Sequence, residues 1–212
     1  MLTVHHLGVS QSERIVWLCE ELGIDYELKR YDRDPVTRMA PPEYKALHPV
    51  GTAPIITDGD VTLPESGAII EYIIGRHGNG RLAVGPEAPN YADYLFWLHF
   101  ANGSMMPRQS GMMAARTDGA EESPRARFMR ERAERSWDLV EQRLGEAPYF
   151  AGDEFTAADV IMGFPLTTMR AFVQRDLAPY PNIRAYLQRI GERPAYQRAM
   201  AKGDPDMTPM LS

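Results

Sequence analysis

Cysteine is nearly absent from this chain: Cys19 is the only one in 212 residues. One thiol closes no internal disulfide and builds no Cys-rich metal site, and the C-x-x-C dithiol of disulfide exchange is missing. Long apolar runs are lacking too, and none approaches the roughly 18 residues of a membrane helix. The first residues, Leu2-Thr3-Val4-His5, alternate in polarity and lack the basic-then-apolar layout of a secretory leader. Positive charge is not in excess. A net charge of −6 argues against a nucleic-acid partner held through its phosphates. Basic residues do crowd into 125–143, but acids are interleaved there, as on a solvated helix face. The expectation left is a soluble cytoplasmic protein with no metal, no membrane and no nucleic acid. With 44% apolar and 25% charged residues, the chain can build a core without covalent staples.

The hydrophobic pattern changes period along the chain. Leu2 to Leu7 reads as a strand, Gly8 to Ser12 as a loop, and Ile15, Leu18, Cys19 and Leu22 as a helix stripe stopped by Gly23. Tyr26 to Tyr31 alternates again, and residues 32–50 carry prolines around a short helical piece at Glu43–Leu47. Pro54-Ile55-Ile56-Thr57 and Val61-Thr62-Leu63 flank Asp58-Gly59-Asp60, a hairpin signature. Ile69, Ile70, Ile73 and Ile74 then repeat at helical spacing. The pattern predicts an α/β domain over 1–77, a Gly- and Pro-rich linker over 78–89, an all-α domain over 90–200 and a tail over 201–212. Within the helical half, Thr156 suits an N-cap answered by Asp159, with Phe155 and Val160 placed for a hydrophobic staple. That reading makes Asp159 a folding residue.

Three segments of the first domain carry chemistry when taken together: Ser10-Gln11-Ser12-Glu13-Arg14, His48-Pro49-Val50-Gly51-Thr52-Ala53-Pro54, and Leu63-Pro64-Glu65-Ser66. Two of them open helices, whose unpaired N–H groups and partial positive charge favour a carboxylate or a thiolate. Ala53 is pushed toward an extended conformation by Pro54, and a cis bond there turns its N–H and C=O toward a bound peptide. Glu65 can accept from an ammonium group. Each piece also has a plainer reading, with Ser66 as a helix cap, Pro54 as an edge-strand mark and Glu65 as a surface acid.

In this order and spacing, Ser10-Gln11-x-x-Arg14, Pro49-x-Gly51-x-x-Pro54, Glu65-Ser66 and Gly152-Asp153-x-Phe155-Thr156-x-Ala158-Asp159 resemble the cytosolic glutathione transferases. The likeness spans about residues 2–200, and the wording of His5-His6-Leu7-Gly8 and Ala40-Pro41-Pro42-Glu43 is similar to a microbial and fungal branch. The resemblance implies a thioredoxin-like β-α-β-β-β-α domain followed by an all-helical one, glutathione as co-substrate with no tightly bound cofactor, and a homodimer. It implies that Ser10 donates to the glutathione sulfur. Thr52 and Ala53 would grip the cysteinyl backbone beside cis-Pro54, and Glu65 with Ser66 would hold the γ-glutamyl end. His48 stands where many members have asparagine, so it is either a weak contact or a brace of its own loop. Ser12 remains an alternative to Ser10. Tyr26 comes too late to be a tyrosine activator, and Cys19 lies on the inward stripe of its helix.

The implied chemistry is thiol activation. A thiol of pKa about 8.5 is only about 3% ionised at pH 7; lowering it by about 2 units costs about 2.7 kcal/mol and raises the thiolate about 25-fold. The expected acceptors are small hydrophobic electrophiles. Phe100, Met105, Met106 and Arg108 are candidates for their pocket, although methionines fill cores equally well. Peroxide or disulfide reduction at the same site, or glutathione binding without turnover, are the alternatives. Tyr91, Tyr94, Phe96, Trp97 and Phe100 are candidates either for a dimer interface or for intrachain core.

Overall fold

The computed structural model describes residues 1–117, 119 and 122–212, which divide into two compact units. The first comprises Met1–Ala83 with Gly191–Pro209, and the second Val84–Ile190 with Met210–Ser212.

In the first unit, β1 (Leu2–Leu7), α1 (Glu13–Leu22) and β2 (Glu27–Tyr31) form a parallel β-α-β turn of chain. After the short α2 (Pro42–Lys45), β3 (Ile55–Asp58) and β4 (Val61–Pro64) form an antiparallel hairpin, and α3 (Ser66–Arg76) closes the unit. The strand order is β2-β1-β3-β4, with β3 antiparallel to β1. The sequence-level rules act visibly here. Gly23 ends α1 at φ 59°, and Gly59 turns the hairpin at φ 58°. Alternation along β1 sends Leu7 into a cluster with Tyr31, Tyr44 and Ile55, while His6 faces the opposite side of the sheet.

Residues 194–200, expected in the helical domain, and 201–203, expected in the tail, form α9 (Pro194–Gly203) and belong to the first unit. Periodicity announces a helix but does not say which neighbour covers it. Here α9 packs on α1, which explains why nine of the ten α1 residues are buried rather than one stripe. Tyr196 meets Trp17 edge-on at 4.9 Å, and Arg193 grips both Glu21 oxygens at 2.6 and 2.8 Å. Glu20 receives Arg198 at 2.9 Å, Tyr26 at 2.8 Å and Lys202. Burial pushes the Glu20 carboxyl up, but those three donors together hold it below its ordinary 4.5. A depressed folded value means the cluster stabilises fully above the unfolded pKa and is lost as pH falls through the folded one. Glu20→Gln is therefore expected to cost about 2 kcal/mol at neutral pH and to flatten the acid limb below about pH 4.5. Denaturant melts across pH would show this, and an acid limb unchanged by the substitution would contradict it.

In the second unit the described elements are α4 (Tyr91–Phe100), a π-helical turn (Ala101–Met105), α5 (Met106–Thr117), α6 (Pro124–Glu146), α7 (Ala157–Leu166), a 3₁₀ turn (Thr168–Ala171) and α8 (Pro181–Gly191). No strand follows residue 90 among the described residues, only an isolated Tyr149–Gly152 bridge. The expected capping box opens α7. Thr156 accepts from Ala158 N–H at 3.3 Å, and Asp159 accepts from Thr156 N–H at 2.9 Å. Among the described residues, no helix is long and apolar enough to cross a membrane.

Candidate functional site

Strand register brings the three chemistry-bearing segments to one end of the sheet. His5 on β1 faces Ile55 on β3, and Ile55 faces Pro64 on β4. The Ser10 loop leaves the C-terminal end of β1, Ala53-Pro54 enters β3 beside that end, and Glu65-Ser66 leaves β4 next to it. The Ala53–Pro54 bond is cis. Arg14, fully buried, ties two of the segments together by donating to Gln11 Oε1 at 2.7 Å and Ser66 Oγ at 3.4 Å. Burial lowers this guanidinium to about 9 against the opposing pull of the Glu13 carboxylate, so it still carries its charge at neutral pH.

The Ser10 loop is held from both sides. Val9 adopts φ 51°, a conformation that crowds a β-branched side chain. Its N–H donates to Asp204 Oδ1 at 2.9 Å, and its carbonyl accepts from Arg33 Nη2 at 3.0 Å. Arg33 Nε also donates to the Gly8 carbonyl at 2.9 Å. Strain of this kind persists only where surrounding bonds enforce it. Val9→Gly is expected to raise the melting temperature by about 2–4 °C, a net gain near 1 kcal/mol, while blunting any activity that needs a fixed Ser10. A calorimetric scan with a parallel activity assay checks this, and a lower melting temperature would exclude strain at Val9.

The two candidate serines differ in what their hydroxyls already do. Ser12 sits at the N-cap of α1 but makes no side-chain cap; its hydroxyl points back toward β1. It meets Leu7 N–H at 3.1 Å, His6 Nδ1 at 2.9 Å and Ser10 Oγ at 2.8 Å, and it is wholly buried. Three good partners saturate one hydroxyl. Ser10, 5% exposed, accepts from Ser12 N–H at 3.2 Å and contacts Ser12 Oγ. Of the two, it is the serine with bonding capacity left.

At α3, Glu65 precedes the helix at φ 75° with an exposed side chain, and Ser66 is its buried first residue rather than its cap. Thr52 is exposed and Ala53 half-buried. His48 braces its own loop: Nδ1 accepts from Val50 N–H at 3.1 Å, and its carbonyl accepts from Gly51 N–H at 2.9 Å. Cys19 is fully buried, and burial pushes its thiol upward, away from reactivity.

In the helical unit the suggested pocket residues do not behave alike. Met105 is wholly buried, and Met106 packs with Phe164 and Met169, so both fill core. Phe100 joins Phe96 and Trp97 in an aromatic cluster, with Arg108 over its ring at 5.9 Å. Arg108 also donates to Ser136 Oγ, and burial beside Arg132 and Arg135 lowers its pKa. Of the aromatics offered for an interface, Tyr94, Trp97 and Phe100 are buried within the chain, while Phe96 is 49% exposed.

Sequence reasoning did not single out His6, Arg33 or Asp204. The doublet His5-His6 was visible, but strand alternation alone does not say which ring turns toward Ser12. Asp204 lies 198 residues from His6 and carried no local signal.

The glutathione S-transferase N-terminal domain model matches residues 10–75, and the C-terminal domain model matches residues 113–189. Glutathione S-transferase 3 of Schizosaccharomyces pombe is 32% identical across the whole chain and 92% of its own length. A solved glutathione S-transferase from Actinobacillus pleuropneumoniae is 34% identical at TM-score 0.89, covering 100% of this chain and 99% of that one. A sphingomonad glutathione S-transferase complexed with glutathione shares the fold at TM-score 0.76 and 23% identity, over 95% and 98% of the two chains. The chain belongs to the glutathione S-transferase family and is an enzyme of that class.

Proposed function

We propose that the first unit binds glutathione and that Ser10 activates its thiol for attack on small hydrophobic electrophiles. The observation carrying this reading is the hydroxyl pair: Ser12 is saturated, which leaves Ser10 to meet the sulfur. Convergence of Glu65, Ser66 and the buried Arg14 at the same sheet end supports an anionic, ammonium-bearing peptide as the ligand. Thr52 and Ala53 flank cis-Pro54 where the cysteinyl backbone would pair. His48 contributes through its loop, because its ring is engaged locally. On the helical unit, Phe100, Met105, Met106 and Arg108 stay the candidates for an electrophile pocket, with Arg108 lying over the Phe100 ring and both methionines in the core. A cytoplasmic homodimer is the assembly the family suggests, with Phe96 as the exposed aromatic candidate for contact.

Glutathione titration followed by thermal shift and by the ultraviolet thiolate band tests this. Saturable stabilisation with a thiolate band below neutral pH is expected. Glu65→Ala is expected to weaken glutathione about 10- to 100-fold, the worth of one charge-assisted bond. Its unliganded melting temperature should hold, since the side chain is exposed. Unchanged affinity in that variant would remove Glu65 from the site.

A further inference from the structure

Behind Ser10 runs a chain of hydrogen bonds that thiol binding alone does not require. Asp204 Oδ2 meets His6 Nε2 at 3.2 Å, His6 Nδ1 meets Ser12 Oγ at 2.9 Å, and Ser12 Oγ meets Ser10 Oγ at 2.8 Å. All four residues are at most 5% exposed. Gly203 makes the approach possible, since a Cβ there would stand 3.1 Å from His6 Nε2.

The polarity of the chain follows from its ends. A carboxylate only accepts, so in a neutral imidazole Nε2 carries the proton and Nδ1 is bare. Ser12 then donates to Nδ1 at 2.9 Å in preference to the Leu7 carbonyl at 3.4 Å, and its lone pairs take the Leu7 N–H and the Ser10 hydroxyl proton. Ser10 is thus turned proton-inward. One of its lone pairs takes Ser12 N–H, and the other faces the thiol as an acceptor.

We propose that this chain is a proton relay in which His6, backed by Asp204, is the final acceptor of the glutathione thiol proton. The inference rests on the assignment of that thiol to Ser10. The S–H bond breaks and leaves its pair on sulfur, and the proton bonds to Ser10 Oγ. Ser10's proton passes to Ser12 Oγ, and Ser12's to His6 Nδ1. Three bonds break and three form, giving a thiolate and an imidazolium clamped by Asp204. The transfer also reverses the chain, so Ser10 now donates to the thiolate it helped create. After conjugation the proton returns by the same path to the leaving group or to water. Ser12, the rival candidate for the sulfur, becomes the link between Ser10 and His6. The other charges nearby are Arg30 and Arg33, which act on the Asp204 carboxylate. Burial pushes that carboxyl up, but His6, the Val9 N–H and Arg30 together carry it below its ordinary value, ready to pair with an imidazolium.

The test is a proton count on the full chain, with S-methylglutathione as the reference lacking a thiol. Binding heats in buffers of different ionisation enthalpy give protons released, and the ultraviolet band gives thiolate formed. Retention on His6 predicts release far below one proton per thiolate; release of about one overturns the relay and leaves glutathione activation standing. His6→Asn keeps an acceptor for Ser12 but no base. It is expected to lower the neutral-pH thiolate about tenfold with S-methylglutathione affinity unchanged. An unchanged thiolate fraction in that variant also overturns the relay. The wild-type count stands even where the variant fails to fold. Failure of wild type to bind either peptide would instead sink the functional assignment, and the relay with it.

Discussion

Ser10→Ala is expected to abolish the thiolate band of bound glutathione at neutral pH and to lower kcat/KM about 10- to 100-fold, with S-methylglutathione binding retained. The magnitude follows from what a hydroxyl supplies. One donor to a charged sulfur is worth about 1.5–3 kcal/mol, and each 1.36 kcal/mol is one pKa unit or tenfold in rate. Methyl for hydroxymethyl leaves the loop's backbone bonds in place, since Val9 is held by Asp204 and Arg33 through main-chain atoms. The loss should therefore appear in kcat and in thiol ionisation rather than in peptide affinity. Ultraviolet titration of wild type and variant side by side decides the matter. A band that survives in Ser10→Ala moves the sulfur contact to backbone donors or to Ser12, and the saturated environment of Ser12 would then have to rearrange.

Asp159→Ala should be the most damaging single change to the fold. Its carboxylate accepts from Phe150 N–H at 3.0 Å, Thr156 N–H at 2.9 Å, the Thr156 hydroxyl at 3.2 Å and the Tyr186 hydroxyl at 3.3 Å. Burial drives this group up to about 6, and the four donors act against that burial. Removing it strands two buried N–H groups, each costing about 1–3 kcal/mol, takes a side-chain acceptor from the Tyr186 hydroxyl, and loses the cap of α7. A total of about 4 kcal/mol corresponds to a melting temperature lower by about 10 °C. The damage should be widely felt, because Phe150 also packs at a tilt on Trp97 and edge-on against Tyr186. A scan showing a drop of only about 1–2 °C would mean that the 150–159 loop satisfies itself without the carboxylate.

The family and the two-part architecture were legible because their signals are short-range. A glycine at positive φ ends α1 and turns the β3–β4 hairpin, a Thr–Asp box starts α7, and each acts within a few residues whatever lies elsewhere. The motifs around Ser10, Pro54 and Glu65 were legible for the same reason, and two strand pairings sufficed to gather them at one sheet end. What those residues touch was not written locally. Sequence left Ser10 and Ser12 in competition, and the partners of Ser12 on β1 are the ground on which we propose Ser10. Sequence offered Met105 and Trp97 to a pocket or an interface, and burial claims both for the core.

By itself, then, the chain determined which segments are helix or strand, where they stop and which chemical groups sit at their ends. Tertiary structure alone decided that α9 returns to α1, that Arg33 and Asp204 hold a strained Val9, and that His6 faces Ser12. The reason is physical. Caps and turns are settled by a few neighbouring dihedrals, whereas the choice of partner across 198 residues depends on how much apolar surface the whole fold can bury at once.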